Sequence, residues 1–210
     1  MSDKSPKVIA VSGIAGAGKS TLVQGLCGLL HNASILYYDA YGGLAKWWPA
    51  YVRVSLKANI ARWVQDGGDP NLYVSIPQLV VDLERLKSGR SIDMPRPSFN
   101  VGHVSPTDFI LLEEPFGRSR FEINKLVDFS VHLDLPADIA LGRAVLREKK
   151  SGGDPVALVE RHLREGLSDF FRMQATAGKQ SADLVLDTTL PEHELITSAC
   201  KAIQDHFSEA

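Results

Sequence analysis

The chain has 210 residues, 44% of them hydrophobic and 23% charged, with a formal net charge of −2. That balance suits one globular domain over residues 1–210. Acidic and basic residues are mixed along it, which excludes the basic footprint that nucleic acid or anionic lipid requires, and no apolar run approaches the roughly 20 residues of a membrane helix.

The opening MSDKSPKVIAVSG passes from a short polar tail directly into a strand, so no targeting segment is expected. Lys7 to Ser12 is that strand, and after a glycine-rich turn Leu22, Val23, Leu26, Leu29 and Leu30 recur at helical spacing. Further strands are expected at Ser34 to Tyr38, Asp108 to Leu112, Phe129 to Leu133 and Asp183 to Leu186, each uninterrupted as strands buried on two faces are. Between them lie helices with readable ends: Ser75 ahead of IPQLVVDLERLKSG, Pro136 opening PADIALGRAVLREK, Asp154-Pro155 opening one long helix to about Met173, and Pro191 opening the last. Alternating strands and helices imply a mainly parallel α/β sheet covered on both faces, because parallel neighbours need long right-handed crossovers. Cys27 and Cys200 lie far apart in apolar helical patterns, as free thiols of a reducing cytoplasm would.

Residues 13 to 21 read GIAGAGKST, a full match to the phosphate-binding loop Gly-x-x-x-x-Gly-Lys-Ser/Thr, set between an apolar strand and an apolar-periodic helix as that motif requires. Gly13, Gly16 and Gly18, with Ala15 and Ala17, let the backbone turn successive N–H groups onto a polyphosphate. Lys19 is placed for the β- and γ-phosphates, Ser20 for Mg²⁺ and Thr21 for the α-phosphate side. A nucleoside triphosphate with Mg²⁺ is the expected ligand. The NKLVD run at Asn124 to Asp128 is one residue too long for a guanine-reading motif and precedes a strand, so it reads as a surface helix end.

The second strand ends in ILYYDAY, which puts Asp39 at the carboxyl edge of the sheet, where a carboxylate can take the proton of an attacking hydroxyl. With these residues in place the chain resembles the uridine kinase and phosphoribulokinase family of P-loop kinases, from Lys7 to about Thr188. The resemblance implies a three-layer P-loop NTPase sandwich with a five-stranded parallel sheet and a small helical lid near residues 143–156. It implies transfer of the γ-phosphoryl group of ATP to a hydroxyl of a nucleoside-like or sugar-like metabolite, with Asp39-Ala40-Tyr41 as the catalytic-base segment.

The same resemblance puts Asp69 of GGDPN on the substrate sugar and Arg143 and Arg147 on the phosphates as lid arginines, and it matches Glu113 of FILLEEPF to the family's Glu-ending strand, where the carboxylate would hold Mg²⁺ or position the substrate. Each has a plainer reading: a strand-end or tight-turn former for Asp39 and Asp69, and surface ion pairs for the arginines. Glu113 and Glu114 are adjacent on a strand and point to opposite faces, so at most one meets the metal. His103 is a substrate-side donor or an exposed loop residue, Trp47 and Trp48 stack on a ligand or fill a core, and His132 is a core residue. Where nucleoside kinases of the family carry a base-reading tyrosine, this chain has Pro97-Ser98-Phe99, and KKSGGD replaces their distal lid arginines. The rival function is a nucleotide-dependent switch acting on a protein partner; a homo-oligomer stays open.

Overall fold

The computed structural model describes residues 5–41, 56–73, 75–98 and 101–208. Trp47, Trp48 and Phe99 lie outside them. Five strands, β1 (Lys7–Gly13), β2 (Ala33–Tyr37), β5 (Phe109–Glu113), β6 (Phe129–Asp134) and β7 (Leu184–Asp187), form one parallel sheet in the order β2-β5-β1-β6-β7. Val8 to Val11 and Ile110 to Leu112 are fully buried, as expected of strands covered on both faces. The expected α/β sheet and its flanking helices are therefore present.

Helices α1 (Lys19–Leu29) and α9 (Glu192–Ser208) pack together so closely that a Cβ at Gly25 would run into Ile196. Helix α8 (Leu167–Gln180) covers β1 and β6. In the register, Glu113 lies opposite both Val11 of β1 and Tyr37 of β2. The segments that follow β1, β2 and β5 thus leave the sheet side by side at its carboxyl edge, where open α/β sheets bind ligands.

Two expectations need correcting. The long helix from Asp154 to Met173 is two helices, α7 (Pro155–Arg164) and α8, because Gly166 adopts φ 75°, a left-handed conformation that ends one axis and starts another. Asp154 caps α7 as foreseen, its Oδ1 accepting from the N–H groups of Val156 and Ala157 at 2.9 and 3.2 Å. The second correction is an antiparallel hairpin, β3 (Ile92–Ser98) with β4 (Val101–Val104), where no strand is expected. Pro95 and Pro97 argue against a central strand, but a two-stranded ribbon outside the main sheet tolerates their missing donors.

The remaining helices are α2 (Leu56–Gln65), α3 (Pro70–Tyr73), α4 (Pro77–Lys87), α5 (Phe121–Asn124) and α6 (Ala137–Lys150). Residues 143–156, the expected lid, are the second half of α6, a turn through Gly152 at φ 79° and the start of α7. Among the described residues no helix is long and apolar enough to cross a membrane. Both cysteines are free, Cys27 partly buried and Cys200 buried.

Candidate active site

Between β1 and α1 the backbone folds into the phosphate-binding loop because its glycines take angles closed to other residues. Gly16 and Gly18 have φ 87° and 95°, and a Cβ on Gly16 would sit 3.1 Å from the carbonyl oxygen of Ala140. No side chain caps α1, so the first-turn N–H groups remain for a ligand, next to the positive end of the helix. Such a cradle fits the phosphates of a nucleotide.

Lys19 bends back over the loop, its Nζ donating to the carbonyls of Gly13 at 2.9 Å and Ile14 at 3.1 Å. Burial pushes its pKa down, the carboxylates of Glu113, Asp39 and Glu114 pull it up, and the charge of Arg147 lowers it further. An ammonium held this way gains most from an arriving anion. Ser20 Oγ is 3.1 Å from both carboxylate oxygens of Glu113. Burial raises the pKa of that carboxyl, opposed by Lys19 and by the Ser20 hydrogen bond. A hydroxyl and a carboxylate beside a phosphate cradle are the hard oxygen donors that Mg²⁺ takes from a protein when phosphates supply the rest.

Glu113 and Glu114 do point apart. Glu114 is fully buried, accepts from the Phe116 N–H at 3.1 Å and pairs with Arg120 at 2.7 Å, both side chains having no exposed surface. It holds the chain as it leaves the sheet, and the sequence offers no sign of this pair.

The loop separates two cavities. The first, about 290 Å³, is bounded by Gly16, Ala17, Gly18 and Thr21 on one side and by Arg143, Thr188 and Ile196 on others. Arg143 lines this cavity beside the loop. Its guanidinium donates to the carbonyls of Gly16 at 3.3 Å and Thr188 at 3.0 Å, tying the loop to the segment after β7 along this cavity. Arg147 is exposed on α6 and lines neither cavity, though its charge is felt at Lys19.

The second cavity, about 180 Å³, brings together Ala15, Lys19, Asp39 and Glu113. Asp39 stands on the 3-10 turn Tyr38–Tyr41 that follows β2, with its side chain exposed. Tyr38, Pro115, Phe116, Phe170, Phe171 and Gln174 form the remaining wall. These are the site residues that sequence reasoning missed. Phe170 and Gln174 are one helical turn apart, a spacing that becomes a shared face only once α8 is recognised as its own helix.

Three expected substrate residues lie elsewhere. Tyr41 donates its hydroxyl to Asp82 Oδ2 at 2.8 Å and so fastens the turn to α4. Asp69 makes turn contacts, its Oδ1 accepting from the N–H and the side-chain amide of Asn71 at 2.9 and 2.7 Å. His103 pairs with Asp93 across the hairpin at 2.8 Å, both side chains exposed. None of the three lines the Asp39 cavity.

No family model matches the chain. It is 26% identical over 193 residues to a uridine kinase of Borrelia duttonii, covering 86% of this chain and 85% of that one, and 25% identical over 199 residues to a uridine kinase of Haemophilus influenzae, covering 89% of each. Among solved structures it resembles a fructose transport system kinase, given as putative, from Silicibacter (TM-score 0.58, 18% identity, 87% of this chain and 90% of that one). It also resembles a possible uridine kinase from Bacillus stearothermophilus (TM-score 0.55, 16% identity, 89% and 91%). The chain is thus similar to uridine kinases over most of its length, and its fold is that of the P-loop kinases.

Proposed function

We propose that the chain is an ATP-dependent kinase that transfers the γ-phosphoryl group to a hydroxyl of a small nucleoside-like or sugar-like metabolite. One observation carries the reading: Asp39, Lys19 and Glu113 line the same cavity at the mouth of the phosphate-binding loop. A nucleotide switch has no use for a carboxylate poised against an acceptor. The sequence relatives, uridine kinases, agree with this chemistry.

Bound Mg²⁺ supplies charge neutralisation and alignment at the β- and γ-phosphates. The chain's own part starts with the loop amides, which bind the phosphates, and with Lys19, whose ammonium exchanges its backbone carbonyls for phosphate oxygens. Ser20 and Glu113 offer the oxygens that hold the metal. Asp39 orients the acceptor hydroxyl and takes its proton as the new O–P bond forms. The bond from the γ-phosphorus to the bridging oxygen breaks with its electron pair, leaving ADP. Arg147, on α6, brings a second positive charge toward the transferred group when the lid segment 143–156 closes, and Arg143 fixes the wall of the nucleotide cavity. Two free cysteines suit a reducing cytoplasm. The test is a panel of hydroxylated metabolites with Mg·ATP, read by ADP release and by product mass.

A further inference from the structure

Gln174 is a buried polar side chain on the wall of the Asp39 cavity, with 3% of its surface exposed. Its Nε2 donates to the carbonyl oxygens of Gly13 at 3.3 Å and Pro115 at 3.0 Å. Two carbonyl acceptors settle which end of the amide is nitrogen, because an amide oxygen there would face two other oxygens without a proton between them. Both N–H groups are thus spent on the framework: one on the end of β1, at the carbonyl that also holds Lys19, and one on the segment after β5. Among the described residues no donor reaches the amide oxygen. That oxygen, on the wall of the cavity, is left to accept from something else that enters it.

The rest of the wall narrows what that something is. Phe116 and Phe170 are 1% and 4% exposed and pack at 6.5 Å in an edge-to-face arrangement, giving the cavity a rigid apolar side. The opposite side carries two carboxylates, Asp39 and Glu113, and among the described lining residues Lys19 is the single cation. On the kinase reading Lys19 serves the nucleotide phosphates. With Glu113 given to the metal, an acceptor bearing its own carboxylate or phosphate would be placed beside the Asp39 carboxylate with no lining cation to pair with it, an arrangement that desolvation makes expensive.

We propose that Gln174 reads the phosphoryl acceptor: its amide oxygen takes a hydroxyl hydrogen from an uncharged polyol or glycoside that lies against Phe116 and Phe170 while Asp39 holds the hydroxyl to be phosphorylated. This rests on the kinase reading and deepens it, because it assigns a specificity-determining residue and a charge class to the acceptor. Gln174 is a substrate-binding residue in it and takes no part in bond making.

The experiment has two readouts. Uridine, ribose and fructose as neutral acceptors, and glycerate, shikimate and pantothenate as anionic ones, are compared by kcat/KM with Mg·ATP. The best neutral compound is then assayed with Gln174→Met and Gln174→Glu, while binding of a fluorescent N-methylanthraniloyl ATP and the melting temperature are followed. A neutral compound is expected to win. Gln174→Met should raise its KM about tenfold, the loss of one hydrogen bond in a buried site, with nucleotide affinity kept. Gln174→Glu retains an acceptor oxygen but loses both donors to the framework, so its KM should stay closer to wild type although its melting temperature falls further. A purely structural role predicts the opposite order, with KM following melting temperature, and that result would overturn the assignment, as would an unchanged KM in Gln174→Met. If Gln174→Glu does not fold, the split between acceptor KM and nucleotide affinity in Gln174→Met decides alone. An anionic winner overturns the charge class. Nucleotide binding with no phosphorylation of any compound overturns the kinase reading itself, and this inference with it.

Discussion

Ser20 Oγ lies 3.1 Å from each carboxylate oxygen of Glu113, so the first turn of α1 and the end of β5 meet at one point of the sheet edge. These two residues would hold a divalent cation, whose charge would offset that of the phosphates. Glu113→Gln is accordingly expected to raise the Mg²⁺ concentration needed for half-maximal turnover about tenfold or more, with little change in melting temperature. A Mg²⁺ titration of turnover in the two proteins checks it; superimposable curves would remove Glu113 from the metal.

Its neighbour should behave differently. Glu114 and Arg120 form an ion pair with neither side chain exposed, and removing one partner leaves a buried charge, at a cost of about 3–5 kcal/mol. Glu122, at 3.5 Å from Arg120, recovers part of this. Glu114→Gln should therefore lower stability by about 3 kcal/mol in urea unfolding, while the folded fraction keeps its Mg²⁺ requirement.

His132 supplies a pH test. Its ring is buried, Nδ1 lies 3.0 Å from Ser12 Oγ, and burial lowers its pKa to about 4 from an ordinary 6.5. The unfolded chain then binds a proton that the native state refuses, so stability is full above pH 6.5 and is lost as pH falls from there toward 4. The contribution is up to about 1.4 kcal/mol per pH unit over that window. His132→Asn should flatten the dependence of unfolding free energy on pH between 6.5 and 4.5; an unchanged slope would show that the ring is protonated in the native state.

How much of this was legible in the sequence depended on whether the controlling physics is local. Gly13, Gly16, Gly18, Lys19 and Ser20 are bound to one another by short-range backbone geometry, and the loop they form stands where the motif puts it. The position of Asp39 at the sheet edge was legible from its place after an apolar strand, and the divergence of Glu113 and Glu114 from the alternation of a strand. Residues whose roles arise from distant packing were not. Phe170, Phe171 and Gln174 reach the cavity only because Gly166 breaks the helical run and turns α8 onto β1 and β6. Asp69 looks the same in sequence whether it meets a sugar or caps a turn, and its contacts with Asn71 two residues later appear only in the fold. The β3–β4 hairpin was hidden by Pro95 and Pro97, which remove the donors on which strand expectation rests.

Asp39 carries the chemistry in this account. Asp39→Asn keeps its shape but accepts no proton, so turnover should fall by roughly 10² or more while nucleotide affinity is retained. Equilibrium binding of a fluorescent ATP analogue alongside steady-state kinetics makes the separation. A parallel fall of binding and turnover would give Asp39 a structural role.

The most direct test of phosphoryl transfer is mass spectrometry of the acceptor after incubation with the protein and Mg·ATP, quantified against ADP formed. The account predicts that at least one neutral hydroxylated metabolite gains a single phosphoryl group in amounts equal to the ADP, and that Lys19→Ala abolishes both. ADP formed without any phosphorylated small molecule, at a rate that rises only when a protein partner is added, would contradict it.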